Sequence, residues 1–126
     1  MPASSVVFLI RHSRMDFTDI SALARESREL YRLFEQRKYG QEWGPQDLLV
    51  GFVGDVGDLS QLMGAYAGIR PGPEDLKAAI AHELADCLWS ILTLSQALDI
   101  DLEEAFLGLH DELIKRVTKK LAELDG

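Results

Sequence analysis

The chain has 126 residues, enough for one domain with a modest core, and 47% of its residues are hydrophobic, which excludes a wholly disordered chain. Its formal net charge is −8, so we do not expect it to bind nucleic-acid polymers. A single cysteine, Cys87, excludes an intrachain disulfide framework and a multi-cysteine zinc site, and no apolar run reaches the roughly 20 residues that cross a bilayer. We therefore expect a cytoplasmic protein that does not insert into a membrane.

Residues 1–17 are predicted to form a short, extended N-terminal arm. Residues 6–10 are apolar, which is typical of a strand or of a segment that packs on the domain or on a partner subunit. No basic segment precedes them, so we do not expect a signal peptide. The following Arg11-His12-Ser13 is only partly similar to the Arg-His-Gly motif of histidine phosphatases, because serine replaces glycine and the chain beyond it is helical.

Residues 18–126 are predicted to form a single all-α domain, an antiparallel bundle of about four helices. Apolar residues recur at helical spacing, and short connections between long helices favour antiparallel neighbours. Thr18 or Asp16 is expected to cap the first helix and Gly40 to end it, and Pro73 is expected to begin the third. The predicted helices cover about 19–37, 45–67, 73–98 and 102–124. The first is expected to bury the stripe Ile20, Leu23, Leu30, Leu33 and Phe34.

The second helix contains Gly51, Gly54 and Gly57, one every third residue. Each glycine costs about 1 kcal/mol relative to alanine inside a helix, so three of them suggest a tertiary cause. We expect close approach of another helix or room for a ligand, and the alternative is a weak helix held by packing.

Two pairs of acidic residues carry the strongest functional signal. Asp55 and Asp58 are three residues apart, as are Glu83 and Asp86, so each pair shares one face of its helix. Four carboxylates facing each other across a bundle repel unless a cation lies between them, and oxygen ligands favour Mg²⁺ or Mn²⁺. The alternative is two solvated acidic faces, which the surrounding apolar residues disfavour.

The stretch 37–116 resembles the MazG-like all-α nucleotide pyrophosphohydrolases, in particular their dCTP-pyrophosphatase-type branch. The resemblance rests on four segments in order, Gln41-Glu-Trp-Gly-Pro45, Asp47-Leu-Leu-Val-Gly-Phe-Val-Gly-Asp-Val-Gly-Asp-Leu59, Glu83-Leu-Ala-Asp86-Cys-Leu88 and Leu98-Asp-Ile-Asp-Leu102.

The resemblance implies an Mg²⁺-dependent enzyme, with Mn²⁺ as a possible substitute, that hydrolyses a nucleoside triphosphate to the monophosphate and pyrophosphate in nucleotide-pool housecleaning. The family pattern Glu-x-x-Glu and Glu-x-x-Asp places the metal on Asp55, Asp58, Glu83 and Asp86. Glu83 and Asp86 are the expected catalytic residues, and Glu83 is our candidate to accept a proton from the attacking water.

The substrate is expected to bind through aromatic and basic residues. The resemblance aligns Tyr39 with a base-stacking tryptophan and Arg37 with a basic position, and Trp43 lies nearby. Lys38, Lys115 and Arg116 are further candidates to contact the phosphates, although a solvated helix face explains the last two equally well. Trp89, Cys87 and His82 are interpreted as structural or surface residues, although His82 could hydrogen-bond within the acidic cluster.

Three departures from the family pattern leave a second function open. Aspartates replace both glutamates of the first pair, Leu109 and Leu113 replace a lysine and an asparagine, and Ser90 stands where relatives carry an aromatic. The alternatives to an enzyme are a catalytically weak nucleotide- or metal-binding module and a plain oligomerisation module. The family and the apolar helices both predict a homo-oligomer, a dimer or a tetramer.

Overall fold

The computed structural model describes residues 14–126, so most of the predicted N-terminal arm, residues 1–13, lies outside the described residues. Four helices make up the described part of the chain: α1 (Phe17–Tyr39), α2 (Pro45–Tyr66), α3 (Leu76–Ala97) and α4 (Leu102–Asp125). Residues 14–126 contain no β-strand, which confirms the predicted all-α fold. None of the four helices is both long enough and apolar enough to pass through a bilayer.

Local capping explains where the helices begin and end. Asp16 caps α1, since its Oδ1 accepts a hydrogen bond from the Asp19 amide at 2.9 Å while the Asp16 amide donates to Asp19 Oδ2 at 3.1 Å. Gly40 ends α1 in the left-handed conformation, with φ of 74°. The predicted start of the third helix at Pro73 is wrong, because Asp75 caps α3 by accepting a hydrogen bond from the Ala78 amide.

Helix α3 packs against both α1 and α2 and is antiparallel to each, so α1 and α2 run in the same general direction. Along α1 and α3 the pairing runs in opposite directions, since Gln96 donates to the Ser21 carbonyl and Trp89 donates to the Ser27 hydroxyl. The same reversal holds for α2 and α3, where Asp55 lies opposite Ser90. The predicted antiparallel arrangement therefore brings the middle of α2 to the middle of α3.

The core of the single chain is small and unusually polar. Its fully buried apolar residues, within the described range, are Ala24, Leu48 and Leu92. On α1 the buried face carries Ala24, Arg28 and Glu35, whereas part of the predicted apolar stripe, Leu30, Leu33 and Phe34, is more than half exposed. The prediction that α1 buries Leu30, Leu33 and Phe34 is therefore wrong within the described chain, because α1 packs through the face that carries Ala24, Arg28 and Glu35.

Helix α4 is the least packed element. Leu102 is half-buried, and every residue from 103 to 126 is exposed. Its exposed apolar residues recur every three or four positions, which places them on one stripe: Phe106, Leu109, Leu113, Val117 and Leu121.

The glycines of α2 lie in open space. A Cβ atom placed on Gly51, Gly54 or Gly57 would meet no other heavy atom within 4 Å. The expected close approach of another helix is therefore absent from the described chain. Gly51 instead borders a cavity between α1, α2 and α3, which agrees with the other expectation, room for a ligand.

Candidate functional site

The two acidic pairs meet across the contact between α2 and α3. Carboxylate oxygens of Asp55, Asp58 and Glu83 lie within 4.8 Å of one another, and Glu83 and Asp86 form a second group with His82 at the same spacing. Glu83 belongs to both groups. The two pairs are distant in sequence, since Asp58 and Glu83 are 25 positions apart. The antiparallel packing of α2 and α3 joins their four carboxylates into one acidic cluster (Asp55, Asp58, Glu83 and Asp86).

The electrostatics of the acidic cluster disfavour four free negative charges. Burial raises the pKa of Asp55 above its usual range, and the charge of Asp86 raises it further. Burial also raises the pKa of Glu83, with Asp86, Asp58 and Asp55 adding to the rise. One oxygen of Glu83, Oε2, is shielded from solvent and has no hydrogen-bond partner within residues 14–126. A carboxylate oxygen that is buried without a hydrogen-bond donor loses its hydration and gains no partner in return, and a bound cation offsets that loss.

Three neighbours modify the acidic cluster. The Ser90 hydroxyl, buried on α3, donates to Asp55 Oδ2 across 3.5 Å. The imidazole of His82 lies with Nε2 3.3 Å from Asp86 Oδ2, one helical turn away. Burial, and then the charges of Asp55 and Glu83, raise the pKa of the Cys87 thiol, so the free thiol is protonated at neutral pH.

A cavity of about 600 Å³ adjoins the acidic cluster, and Asp55 and Asp86 form part of its wall. Aromatic side chains from α1, the loop after it and α3 line the same cavity: Tyr31, Trp43 and Trp89. The rings of Tyr31 and Trp89 meet edge to face, with centroids 5.7 Å apart. This aromatic cavity has the size and the flat apolar walls that suit a planar ring, and carboxylates at its border.

A buried ion pair fixes the loop that carries Trp43. Arg28 Nη1 lies 2.7 Å from Glu35 Oε2, and Glu35 is 1% exposed. Glu35 Oε1 accepts a hydrogen bond from the Trp43 amide at 2.9 Å, and Arg28 Nη2 donates to the Trp43 carbonyl at 3.0 Å. Both backbone groups of Trp43 are therefore held by one buried pair. Burial opposes ionisation of Glu35, but the bonds from Arg28 and Trp43 outweigh it and lower the pKa of Glu35.

The other predicted substrate residues lie away from the aromatic cavity in the single chain. Arg37 and Lys38 line a separate surface groove with Leu30, Leu33 and Phe34. The Lys38 ammonium lies 5.4 Å from the ring centroids of Phe34 and Tyr39, and Tyr39 is 54% exposed. Lys115 and Arg116 lie on the exposed helix α4. No lysine or arginine of the described residues lines the aromatic cavity.

Comparison with known proteins decides the family. A family model described as a MazG nucleotide pyrophosphohydrolase domain matches residues 17–120. This chain belongs to the MazG family. The predicted branch is also confirmed, because the chain is 31% identical to dCTP pyrophosphatase 1 of Mus musculus over 80 residues, which are 60% of this chain and 47% of that protein. It is 32% identical to dCTP pyrophosphatase 1 of Homo sapiens over 91 residues, 69% of this chain and 54% of that protein. The chain spans about half the length of these curated relatives.

The donor set of this MazG-family chain fits a divalent cation. Carboxylate oxygens from two helices converge within 4.8 Å, and Oε2 of Glu83 is shielded from solvent without a hydrogen-bond partner within residues 14–126. Hard cations such as Mg²⁺ and Mn²⁺ prefer this oxygen chemistry.

Sequence reasoning underestimated two residues of the site in this MazG-family chain. Trp89 was interpreted as a structural residue, yet it lines the aromatic cavity and donates a hydrogen bond to the Ser27 hydroxyl at 2.8 Å. Tyr31 was not predicted, and no local pattern on α1 singles it out. His82 is exposed, as expected, and it also contacts Asp86 of the acidic cluster, the alternative that its position one turn before Asp86 indicated.

Proposed function

We propose that this chain is an Mg²⁺-dependent nucleoside triphosphate pyrophosphohydrolase that converts (d)NTP to (d)NMP and pyrophosphate. The observation that carries the proposal is the meeting of the two acidic pairs across α2 and α3, with an unpartnered buried oxygen of Glu83, beside an aromatic cavity. The family description names the same class of reaction. The relatives' name adds dCTP as the substrate of those proteins and supports a deoxynucleotide as the first to test.

Each residue has a proposed role. Asp55, Asp58, Glu83 and Asp86 hold the cation, with Mn²⁺ as the alternative to Mg²⁺. When bound, the cation neutralises the phosphate oxygens and makes the attacking water more acidic. Glu83 is the proposed acceptor of the proton of that water, because its carboxylate lies in the acidic cluster and its Oε2 has no hydrogen-bond partner within residues 14–126.

The aromatic cavity is the proposed place for the base. Stacking on flat aromatic faces is a common way to hold a nucleobase and is worth about 1–3 kcal/mol per base. Trp43 is the predicted stacking residue that lines this cavity, and its loop is held by the buried pair of Arg28 and Glu35.

We also propose a homo-oligomer. On α4 the stripe of exposed apolar residues from Phe106 to Leu121 needs cover, and Leu30, Leu33 and Phe34 expose a second apolar surface on α1. A partner subunit can also supply the cations that the aromatic cavity lacks in the single chain, with Arg37, Lys38, Lys115 and Arg116 as the proposed residues. Light scattering after gel filtration tests this, and the mass of a monomer contradicts it.

A second candidate is a nucleotide- or metal-binding module with weak turnover. One observation favours it: within residues 14–126 no lysine or arginine lines the aromatic cavity beside the acidic cluster. The net charge and the family support a nucleotide, rather than a nucleic-acid polymer, as the partner. The lone, protonated Cys87 supports a cytoplasmic location.

The deciding experiment measures pyrophosphate and monophosphate release from a panel of ribo- and deoxynucleoside triphosphates. Reactions contain Mg²⁺, Mn²⁺ or EDTA and compare the parent with Glu83→Gln. The matched control is Glu74→Gln, because Glu74 is exposed and precedes α3. Metal-dependent release that is lost in Glu83→Gln and kept in Glu74→Gln establishes the enzyme. Nucleotide binding without turnover in the parent establishes the binding module instead.

A further inference from the structure

His82 lies at the edge of the acidic cluster, and the family pattern of carboxylates does not account for it. Its Nε2 is 3.3 Å from Asp86 Oδ2, and one ligand atom each from His82, Glu83 and Asp86 fall within 4.8 Å of one another. The imidazole is 74% exposed. It also borders the aromatic cavity.

We propose that His82 supplies a nitrogen ligand to a cation held by Glu83 and Asp86. The centre then has two unlike halves that share Glu83: an all-oxygen half with Asp55 and Asp58, and a mixed half with His82 and Asp86. The inference rests on the proposed function only in assuming that the acidic cluster binds a divalent cation.

The geometry fits two ligands of one ion. Two adjacent ligands of an octahedral cation, each at about 2.1 Å, are about 3.0 Å apart. The observed 3.3 Å between His82 Nε2 and Asp86 Oδ2 needs little movement to reach that distance. Both side chains lie on the same face of α3, because four residues separate them.

The shared residue points to a ligand independently. Glu83 offers a carboxylate oxygen to both groups of potential ligands, and its Oε2 is shielded from solvent and lacks a hydrogen-bond donor within residues 14–126. A surface His–Asp pair alone does not explain that oxygen. A cation between His82, Glu83 and Asp86 satisfies it and also uses the imidazole nitrogen.

The chemical consequence is a change in metal preference. Imidazole nitrogen favours Mn²⁺, Co²⁺ and later ions over Mg²⁺, whose preferred ligands are oxygens and water. The mixed half is therefore expected to bind Mn²⁺ and Co²⁺ more tightly than Mg²⁺, while the all-oxygen half discriminates less.

The first test is pulsed EPR on the full chain loaded with Mn²⁺, which detects the magnetic coupling of a directly bound ¹⁴N nucleus. The parent is expected to show this coupling and His82→Gln to lose it. The matched control is His110→Gln, since His110 is an exposed histidine on α4 far along the chain from the cluster, and it is expected to keep the coupling. Far-UV circular dichroism verifies that all three proteins are helical.

The second test is calorimetric titration with Mn²⁺, Co²⁺ and Mg²⁺ separately. His82→Gln is expected to weaken Co²⁺ and Mn²⁺ binding about tenfold or more, and Mg²⁺ binding by less than about threefold, because the lost ligand is a nitrogen. Coupling absent from the parent, or equal weakening of all three metals, overturns the role of His82. Mn²⁺ binding that Glu83→Gln leaves unchanged is a different result, since it overturns the acidic cluster as the metal site and with it the proposed function.

Discussion

Removal of the Glu35 carboxylate is predicted to destabilise the protein more than removal of any exposed carboxylate. In Glu35→Ala the Arg28 guanidinium, whose side chain is 10% exposed, keeps its charge but loses its partner at 2.7 Å. The Trp43 amide loses its acceptor at the same time. Breaking a buried ion pair on one side costs about 3–5 kcal/mol, which is a large share of the roughly 5–15 kcal/mol that stabilises a typical domain.

The matched control for this prediction lies on the same helix. Glu29 also pairs with an arginine at 2.7 Å, Arg32, but the two side chains are 61% and 45% exposed. An exposed pair contributes about 0–1 kcal/mol, so Glu29→Ala is expected to cost less than about 1 kcal/mol. The two substitutions remove the same group at the same distance from an arginine, and they differ in burial and in the Trp43 amide bond that Glu35 alone accepts.

The assay is urea unfolding followed by far-UV circular dichroism, with free energies from linear extrapolation at one fixed protein concentration. Glu35→Gln replaces Glu35→Ala if the alanine variant is unfolded in buffer, since the amide retains one acceptor for the Trp43 amide. Equal losses for Glu35 and Glu29 variants would refute the argument, because burial would then not govern the strength of these pairs. The double variant Arg28→Met/Glu35→Leu is expected to recover the part of the loss that comes from the unpaired Arg28 charge, but not the cost of the Trp43 amide and carbonyl left without partners, about 1–3 kcal/mol.

Three further predictions concern acid pH, metal and the glycines of α2. The pKa of Glu35 is lowered in the folded state, so the stabilisation that its carboxylate provides is fully present above the unfolded pKa and is lost as the pH falls through the folded pKa. In urea unfolding between neutral and acid pH, the free energy of unfolding of the parent is therefore expected to fall, and that of Glu35→Gln is expected to fall less. Mg²⁺ at about 100 times its dissociation constant is expected to raise the free energy of unfolding of the parent by about 2.7 kcal/mol. Thermal unfolding measures this increase, which EDTA is expected to reverse and Asp55→Asn to reduce. Gly54→Ala is expected to stabilise the protein by up to about 1 kcal/mol in urea unfolding, because alanine favours the helix and a Cβ placed at this position meets nothing within 4 Å. A loss of stability would instead show that a partner subunit packs on this face of α2.

Much of the fold followed from local sequence. The helical spacing of apolar residues predicted all four helices, and the ends of α2 and α4 fall within one residue of the prediction. Asp16 and Gly40 act at the ends of α1 as their capping chemistry indicates. The start of α3 was misplaced because Pro73 and Asp75 are both good residues for a helix start, and the side-chain hydrogen bond that decides between them is a matter of backbone geometry.

The sequence by itself also determined the family and the two acidic pairs, because spacing of three residues on a helix fixes which side chains share a face. Only the tertiary structure decided how those faces combine. Packing of α3 against α2 brings Asp55 and Asp58 to Glu83, which also belongs to the local group with His82 and Asp86 on α3. Packing of α3 against α1 turns Trp89 into a cavity wall. These contacts between helices join residues that are distant along the chain, and periodicity carries no information about which faces meet.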